Sequence, residues 1–213
     1  MIFNIGEKNS IANQFLLELR DKLIQQDRLR FRRNMERLGE IMAYEISKRL
    51  NYREEIVNTP LGQSPLLVPE SPVLITILRA GLPYYIGFQH FFDGADSGFI
   101  GAYRKGGEAD IQINLDYLAA PNIEGRAVIL IDPMLATGKS ALRSIKELLK
   151  NGTPAHVHIA SLLAAPEGLA YLKKEIHLPY TIWTFAIDEK LNGQFFIVPG
   201  LGDAGDLSFG QKM

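Results

Sequence analysis

The 213 residues carry 46% hydrophobic and 22% charged side chains, the balance of a soluble globular protein able to bury a sizeable core. A net charge of −1 offers no global field to attract nucleic acid or membrane, and the lack of cysteine excludes disulfides and thiol catalysis. The start, MIFNIGEKNS, has no basic head followed by an apolar run, and no stretch approaches the roughly 20 apolar residues of a membrane span, so the expectation is one domain over residues 1–213 in a reducing cytoplasm.

Residues 10–50 have helical spacing, rich in Leu, Ile and charge, and predict a helical region broken near Gln25 to Asp27. A stretch rich in Pro, Gly and Ser at 59–72 reads as a connection. Apolar runs follow at 73–78, 98–103, 127–131, 156–163 and 181–187, and they predict strands. Helical segments such as PYYIGFQHFF and PEGLAYLKKEI lie between most of them. That alternation predicts an α/β fold with a mainly parallel sheet flanked by helices. Residues 104–124 break the pattern: polar, with adjacent glycines, they predict an excursion that closes over a site. His156 and His158 fall in a predicted strand on one face and read as structural, because two histidines alone make a poor metal site.

The chemistry concentrates at 127–140, AVILIDPMLATGKS. An apolar strand runs into an acid, a proline and a small-residue turn, then into the amphipathic segment SALRSIKELLK. Ala136, Thr137, Gly138 and Ser140 are small enough for a phosphate to reach main-chain N–H groups, and the following helix aims its positive dipole end at the same place. Asp132, at the strand's C-terminal end, adds a carboxylate acceptor where ligands sit in open parallel sheets. A carboxylate beside a phosphate cradle suits a ribose phosphate. The GKS tail also belongs to the triphosphate-binding pattern G-x-x-x-x-G-K-[ST], but Pro133 stands where that pattern needs its first glycine, and proline has neither the conformational range nor the N–H for that turn. A third reading is a tight turn that binds nothing.

Arg79 follows VLITIL and precedes Ala80-Gly81, which sets a guanidinium at a strand's C-terminal edge; Arg104 ends the next run in the same way. The C-terminal segment FFIVPGLGDAGDLSFG holds glycines, aspartates and a proline between apolar ends, the composition of a tight loop at 195–210.

VLITILRAGL, GAYRK, ILIDPMLATGKS, LLAAPEGL and AIDEKLNGQFFIVPGLGDAGD, in this order and spacing, resemble the uracil phosphoribosyltransferase family, and FRRNMERLGEIMAYEI is similar to that family's N-terminal helix. The resemblance covers nearly the whole chain. It implies a type I phosphoribosyltransferase fold with a flexible hood, and an enzyme of pyrimidine salvage that joins uracil to 5-phosphoribosyl 1-diphosphate, giving UMP and diphosphate with Mg²⁺. By position, it implies that Asp132, Pro133, Met134, Leu135, Ala136, Thr137, Gly138, Lys139 and Ser140 hold the ribose hydroxyls and 5′-phosphate. Arg79 and Arg104 would face the diphosphate, and Asp203 would contact that substrate or its metal, largely through the diphosphate. Ile197, Gly202, Asp203 and Ala204 would present backbone groups to uracil. Arg79, Arg104, Asp132 and Asp203 are thus the catalytic set, and a homo-oligomer, dimer or higher, is implied as well.

The chain departs from the family's pattern in four places. Lys139 stands where glycine is common, and is expected to point to solvent because a helix N-terminus disfavours a cation. Pro83-Tyr84-Tyr85 replaces a smaller continuation and is expected, with Lys139, to crowd the rim of the site. The excursion after Arg104 lacks an acid-rich, proline-containing run, and Leu207-Ser208 replaces a basic residue. Two other functions compete. A nucleotide-sensing regulator that binds RNA would use Arg28, Arg30, Arg32 and Arg33, which a helix spreads around its circumference. A nucleoside kinase would consume ATP through GKS.

Overall fold

The computed structural model describes residues 1–105 and 112–212, with side chains outside 102–116. The N-terminal region opens with a short strand, β1 (Ile2–Asn4), then helices α1 (Ala12–Arg20) and α2 (Arg28–Ser47), separated by a turn of 3₁₀ helix at Ile24–Gln26. The predicted break near residues 25–27 is therefore real. Its cause is local: Asp27 takes extended dihedrals and its carboxylate accepts from the Arg30 N–H at 3.0 Å, capping α2. Phe31, Met35, Leu38, Met42 and Ile46 then recur at helical spacing and bury one face of α2.

The stretch read as a connection instead forms most of an antiparallel hairpin, β2 (Tyr52–Thr59) and β3 (Gly62–Pro69). Three prolines, Pro60, Pro65 and Pro69, and weak alternation hid it. Next come β4 (Val73–Leu78), α3 (Gly81–Gln89), β5 (Ser97–Lys105) and β6 (Gln112–Ala119), the last two paired antiparallel. The expected hood thus begins as the end of one strand and the start of another, and residues 106–111 between them lie outside the described residues.

The second half repeats one unit. Strand β7 (Ala127–Ile131) is followed by a two-residue strand β8 (Met134–Leu135) and helix α4 (Lys139–Leu148). Strand β9 (His156–Ala160) is followed by β10 (Leu163–Ala164) and α5 (Pro166–Glu175). Strand β11 (Tyr180–Thr184) is followed by β12 (Ala186–Ile187), then by the small hairpin β13 (Lys190–Leu191) and β14 (Ile197–Val198), and α6 (Ala204–Phe209) closes the chain.

The main sheet has seven strands in the order β1-β11-β9-β7-β4-β5-β6, parallel except for β6. Its strands read as unbroken apolar runs because both faces are covered. Val73, Ile75, Val128, Leu130, Val157 and Ile159 pack on α4 and α5, while Leu74, Ile129, Ile131, Ala160 and Trp183 join the core under α2 and α3. His156 and His158 share that second face, as expected, with ring centroids 4.6 Å apart. The Trp183 indole N–H donates to His158 Nδ1 at 3.1 Å, and burial followed by the neighbouring His156 lowers the His158 pKa to about 4.

Strand order decides where a ligand fits. The chain leaves β4 for β5 on one side and returns to β7 on the other, so the order reverses between β4 and β7. In open parallel sheets the crevice beyond the strand ends at such a reversal is the usual ligand site.

Candidate active site

Asp132 directly follows β7 and Arg79 directly follows β4, so the acid and the guanidinium stand at neighbouring strand ends across the reversal. The Leu78–Arg79 peptide is cis. Gly81, where α3 starts, lies so close to β7 that a Cβ there would come within 3.0 Å of the Ile131 carbonyl.

The predicted phosphate loop is more ordered than a plain turn. The Asp132 carboxylate accepts from the Met134 N–H at 3.3 Å, and the Pro133 carbonyl accepts from Leu162 N–H at 2.9 Å. Met134 and Leu135 form β8, which pairs with β10, while β10 also pairs with β12. A small second sheet thus caps the ends of β7, β9 and β11, and it fixes where the loop begins. Ala136 is buried, and the Thr137 hydroxyl accepts from the Lys139 N–H at 3.3 Å. Gly138 takes φ +75°, a left-handed value that an L side chain adopts only with strain. Ser140 lies in the first turn of α4, half-buried. Lys139 opens the helix and is exposed.

Arg79 reaches away from the sheet to the C-terminal loop. Its Nη2 donates to Asp206 Oδ1 at 3.0 Å and to the Gly210 carbonyl at 3.4 Å. Asp203 caps α6, its Oδ1 accepting from the Asp206 N–H at 3.0 Å. A Cβ on Gly205 would lie 3.2 Å from that Oδ1 and 3.9 Å from Arg79 Nη2, so the two predicted diphosphate groups flank one glycine. Gly202 takes φ +95°, Ala204 is buried in α6, and Ile197 is buried in β14. The structure therefore brings Arg79, Asp203 and the loop 202–204 together, beside Asp132. Arg104 belongs to β5, three residues beyond Gly101, the partner of Leu78; its side chain lies outside the described residues.

One expectation needs correcting. Pro83, Tyr84 and Tyr85 do not crowd the rim of the site: all three are buried in α3, and Tyr84 packs edge-on against Phe88 in the core shared with α2. Helix α3 is buried on nearly every side, so consecutive residues all find partners: Tyr84 meets Phe88, and Tyr85 packs edge-on against Phe99 of β5.

Sequence reasoning missed two things. Asp206 went unnoticed as the partner of Arg79, because the two are 127 residues apart. An ion pair between Arg20 of α1 and Asp188 after β12 also grips the loop: Arg20 Nη2 and Nη1 donate to the two Asp188 oxygens at 2.7 and 2.9 Å. Asp188 Oδ2 accepts from the Gly200 N–H at 2.9 Å, and Arg20 Nη1 donates to the Gly200 carbonyl at 3.1 Å. The local signal was an acidic pair, Asp188-Glu189, after an apolar strand.

Among the described residues no group of three or more His, Asp or Glu could hold a metal ion by itself. Nor does the arginine cluster of α2 form a free basic stripe: Arg30 pairs with Glu18, Arg33 with Glu36, and Arg32 donates to the Ser208 carbonyl. No helix among the described residues is long and apolar enough to cross a membrane.

Residues 7–211 match the family model described as uracil phosphoribosyltransferase. A uracil phosphoribosyltransferase of Porphyromonas gingivalis is 46% identical over 214 residues, covering 100% of this chain and 99% of its own. One of Pyrococcus furiosus is 38% identical over 211 residues, covering 97% of this chain and 89% of its own. Among solved structures, the AQ2163 protein of Aquifex aeolicus is similar with a TM-score of 0.89 at 30% identity, over 99% of this chain and 98% of that one.

Proposed function

The chain belongs to the uracil phosphoribosyltransferase family, and from that premise we propose that it converts uracil and 5-phosphoribosyl 1-diphosphate to UMP and diphosphate. The observation that carries the reading is the placement of Asp132 and Arg79 at adjacent strand ends across the sheet's reversal, with the C-terminal loop held on Arg79. A ligand there meets a carboxylate, a guanidinium and backbone donors within one crevice.

In the reaction the bond from ribose C1 to the diphosphate oxygen breaks as uracil N1 bonds to that carbon, and the N1 proton is lost to water or to the departing diphosphate. Negative charge builds on the leaving group while the ribose becomes oxocarbenium-like. The loop 136–140 and the start of α4 would hold the 5′-phosphate with main-chain N–H groups, and Asp132 would accept from the ribose hydroxyls. Arg79 and Arg104 would take the growing charge on the diphosphate, a preorganised electrostatic contribution of the kind that dominates many such reactions. Only part of Arg79 is committed to Asp206 and Gly210. The other guanidinium donors would serve the ligand.

The donor set fits a Mg²⁺ ion that takes most of its ligands from the diphosphate and water, with Asp203, across Gly205 from Arg79, as the protein carboxylate that would assist; it does not fit an all-protein cage. When bound, such an ion neutralises charge on the leaving group. Gly202, Asp203 and Ala204, with Ile197, would offer fixed backbone donors and acceptors to the O–NH–O edge of uracil. Cytosine presents an amine and an unprotonated nitrogen there.

The test is a product assay on the full chain with uracil, 5-phosphoribosyl 1-diphosphate and Mg²⁺. UMP and diphosphate in equal amounts are expected, with cytosine disfavoured on the order of 10⁴-fold in the favourable limit of such readout. Absence of UMP would overturn the reaction, and equal turnover of both bases would overturn backbone readout. ATP-dependent phosphorylation of a nucleoside without phosphoribosyl diphosphate would instead make the chain a kinase. The same reading places the protein in the cytoplasm as a homo-oligomer. Exposed Ile56, Leu61, Leu66 and Leu67 on the β2–β3 hairpin support association, and sedimentation velocity would test it.

A further inference from the structure

We propose that Arg20 and Asp188 are positioning residues for the pyrimidine base, setting the path of the loop that reads it without touching the base themselves. The inference rests on the reading of residues 197–204 as the uracil loop. Its evidence is geometric. Gly200 is buried in the middle of that loop, and both polar groups of this residue are held by one ion pair: the N–H by Asp188, the carbonyl by Arg20. Arg20 binds Asp188 through two parallel hydrogen bonds, the arrangement that fixes a guanidinium in plane as well as in distance.

Each partner is itself anchored. The Asp188 N–H donates to the Ala164 carbonyl at 2.9 Å, which ties it to the small sheet above β9. Arg20 ends α1, and two residues earlier the buried Glu18 accepts from Arg30 Nε at 2.7 Å and from Asn34 Nδ2 at 2.6 Å, which docks α1 on α2. The clamp therefore transmits the position of two rigid elements to a short loop that has no regular structure between Val198 and Ala204. Gly200 itself has φ +60°, and a Cβ there would lie 2.1 Å from the Ile197 carbonyl, so the peptide has one tightly bounded arrangement. Two residues further on, Gly202 begins the segment whose backbone would face uracil. Loss of the clamp leaves the phosphate loop intact, because β8 and α4 hold that loop through other contacts.

The consequence is an effect confined to the base. In Arg20→Gln the KM for uracil should rise about tenfold and the preference for uracil over cytosine should fall, while kcat at saturating uracil and the KM for 5-phosphoribosyl 1-diphosphate stay within about threefold of the parent. Arg20→Lys, which keeps charge but not the fork, should fall between the two. Arg20→Leu combined with Asp188→Leu removes the pair without stranding a buried charge, so it should unfold at a higher temperature than Arg20→Leu alone, which leaves the Asp188 carboxylate buried and unpaired, while the uracil KM remains raised. A uracil KM unchanged in the double variant, or one that recovers in step with the unfolding midpoint, would overturn the proposal, as would equal rises in both KM values. Should the double variant fail to fold, Arg20→Lys decides: a uracil KM equal to the parent's refutes the idea. A parent protein that makes no UMP would refute the function instead, so the two failures are told apart.

Discussion

The loop proposed for the phosphate and the loop proposed for uracil are held in different ways. Residues 132–140 are fixed by their own sequence neighbours and by a two-residue strand: Asp132 bonds Met134, Thr137 bonds Lys139, and Gly138 turns the chain into α4. Residues 197–206 depend on groups far away in sequence, with Arg20 reaching 180 residues to Gly200 and Arg79 reaching 127 to Asp206. A phosphate is similar in every phosphoribosyl transfer, and a local backbone cradle suffices for it. A base must be told from its close relatives, and that needs donors held in register by rigid elements on several sides.

The largest effects should come from the two strand-end residues, and they should differ in kind. Asp132→Asn and Arg79→Ala should each lower kcat/KM by about 10²-fold or more while far-UV circular dichroism and the unfolding midpoint stay near the parent's. Asp132→Asn should leave the uracil KM unchanged, whereas Arg79→Ala releases Asp206 and should raise it. Steady-state kinetics in both substrates would check this, and identical patterns would break the contrast between the loops.

Gly138→Ala should be next. Forcing an L residue into a left-handed conformation costs about 1–2 kcal/mol, and the new Cβ would sit 3.0 Å from the Gly168 carbonyl. The expected outcome is roughly a tenfold higher KM for 5-phosphoribosyl 1-diphosphate at an unaltered uracil KM.

Acid should separate the regions again. Hydrogen bonds from Arg30, then Asn34 and Gln14, hold the Glu18 carboxyl at about 2 against its ordinary 4.5. A lowered acid pKa gives stability that is present above 4.5 and is lost as pH falls toward 2. Because Glu18 docks the helix that carries Arg20, hydrogen exchange at 197–204 should accelerate across this window before that at 132–140, and Glu18→Gln should remove the pH dependence. Burial of His158 acts at higher pH: its pKa of about 4 against 6.5 means that the unfolded chain binds the proton first, so stability falls as pH drops through that interval, for both loops alike.

The smallest effect is expected at Lys139. Its exposed side chain, without a hydrogen-bonded partner among the described residues, predicts that Lys139→Gly changes the KM for 5-phosphoribosyl 1-diphosphate by less than about threefold at low salt. A tenfold rise there would show the ammonium on the phosphate and make the phosphate loop less self-sufficient than the contrast requires.

The sequence by itself determined the parallel α/β architecture, the strand ends bearing Arg79 and Asp132, and the phosphate loop, because buried strands announce themselves as apolar runs and a strand–loop–helix site is written in consecutive residues. It also marked residues 195–210 as a tight loop through their glycines, although that segment holds β14 and the helix α6, whose short lengths carry no readable period. The β2–β3 hairpin escaped it because exposed strands lack a clear alternation, and β8, β10 and β12 escaped because two residues carry no period. The inward turn of Tyr84 and Tyr85, the hold of Asp206 on Arg79 and the clamp of Arg20 and Asp188 on Gly200 were decided only by tertiary structure. Each is a contact between side chains brought together by the packing of separate elements, and no pattern within a short window of residues records which distant group will complete a hydrogen bond.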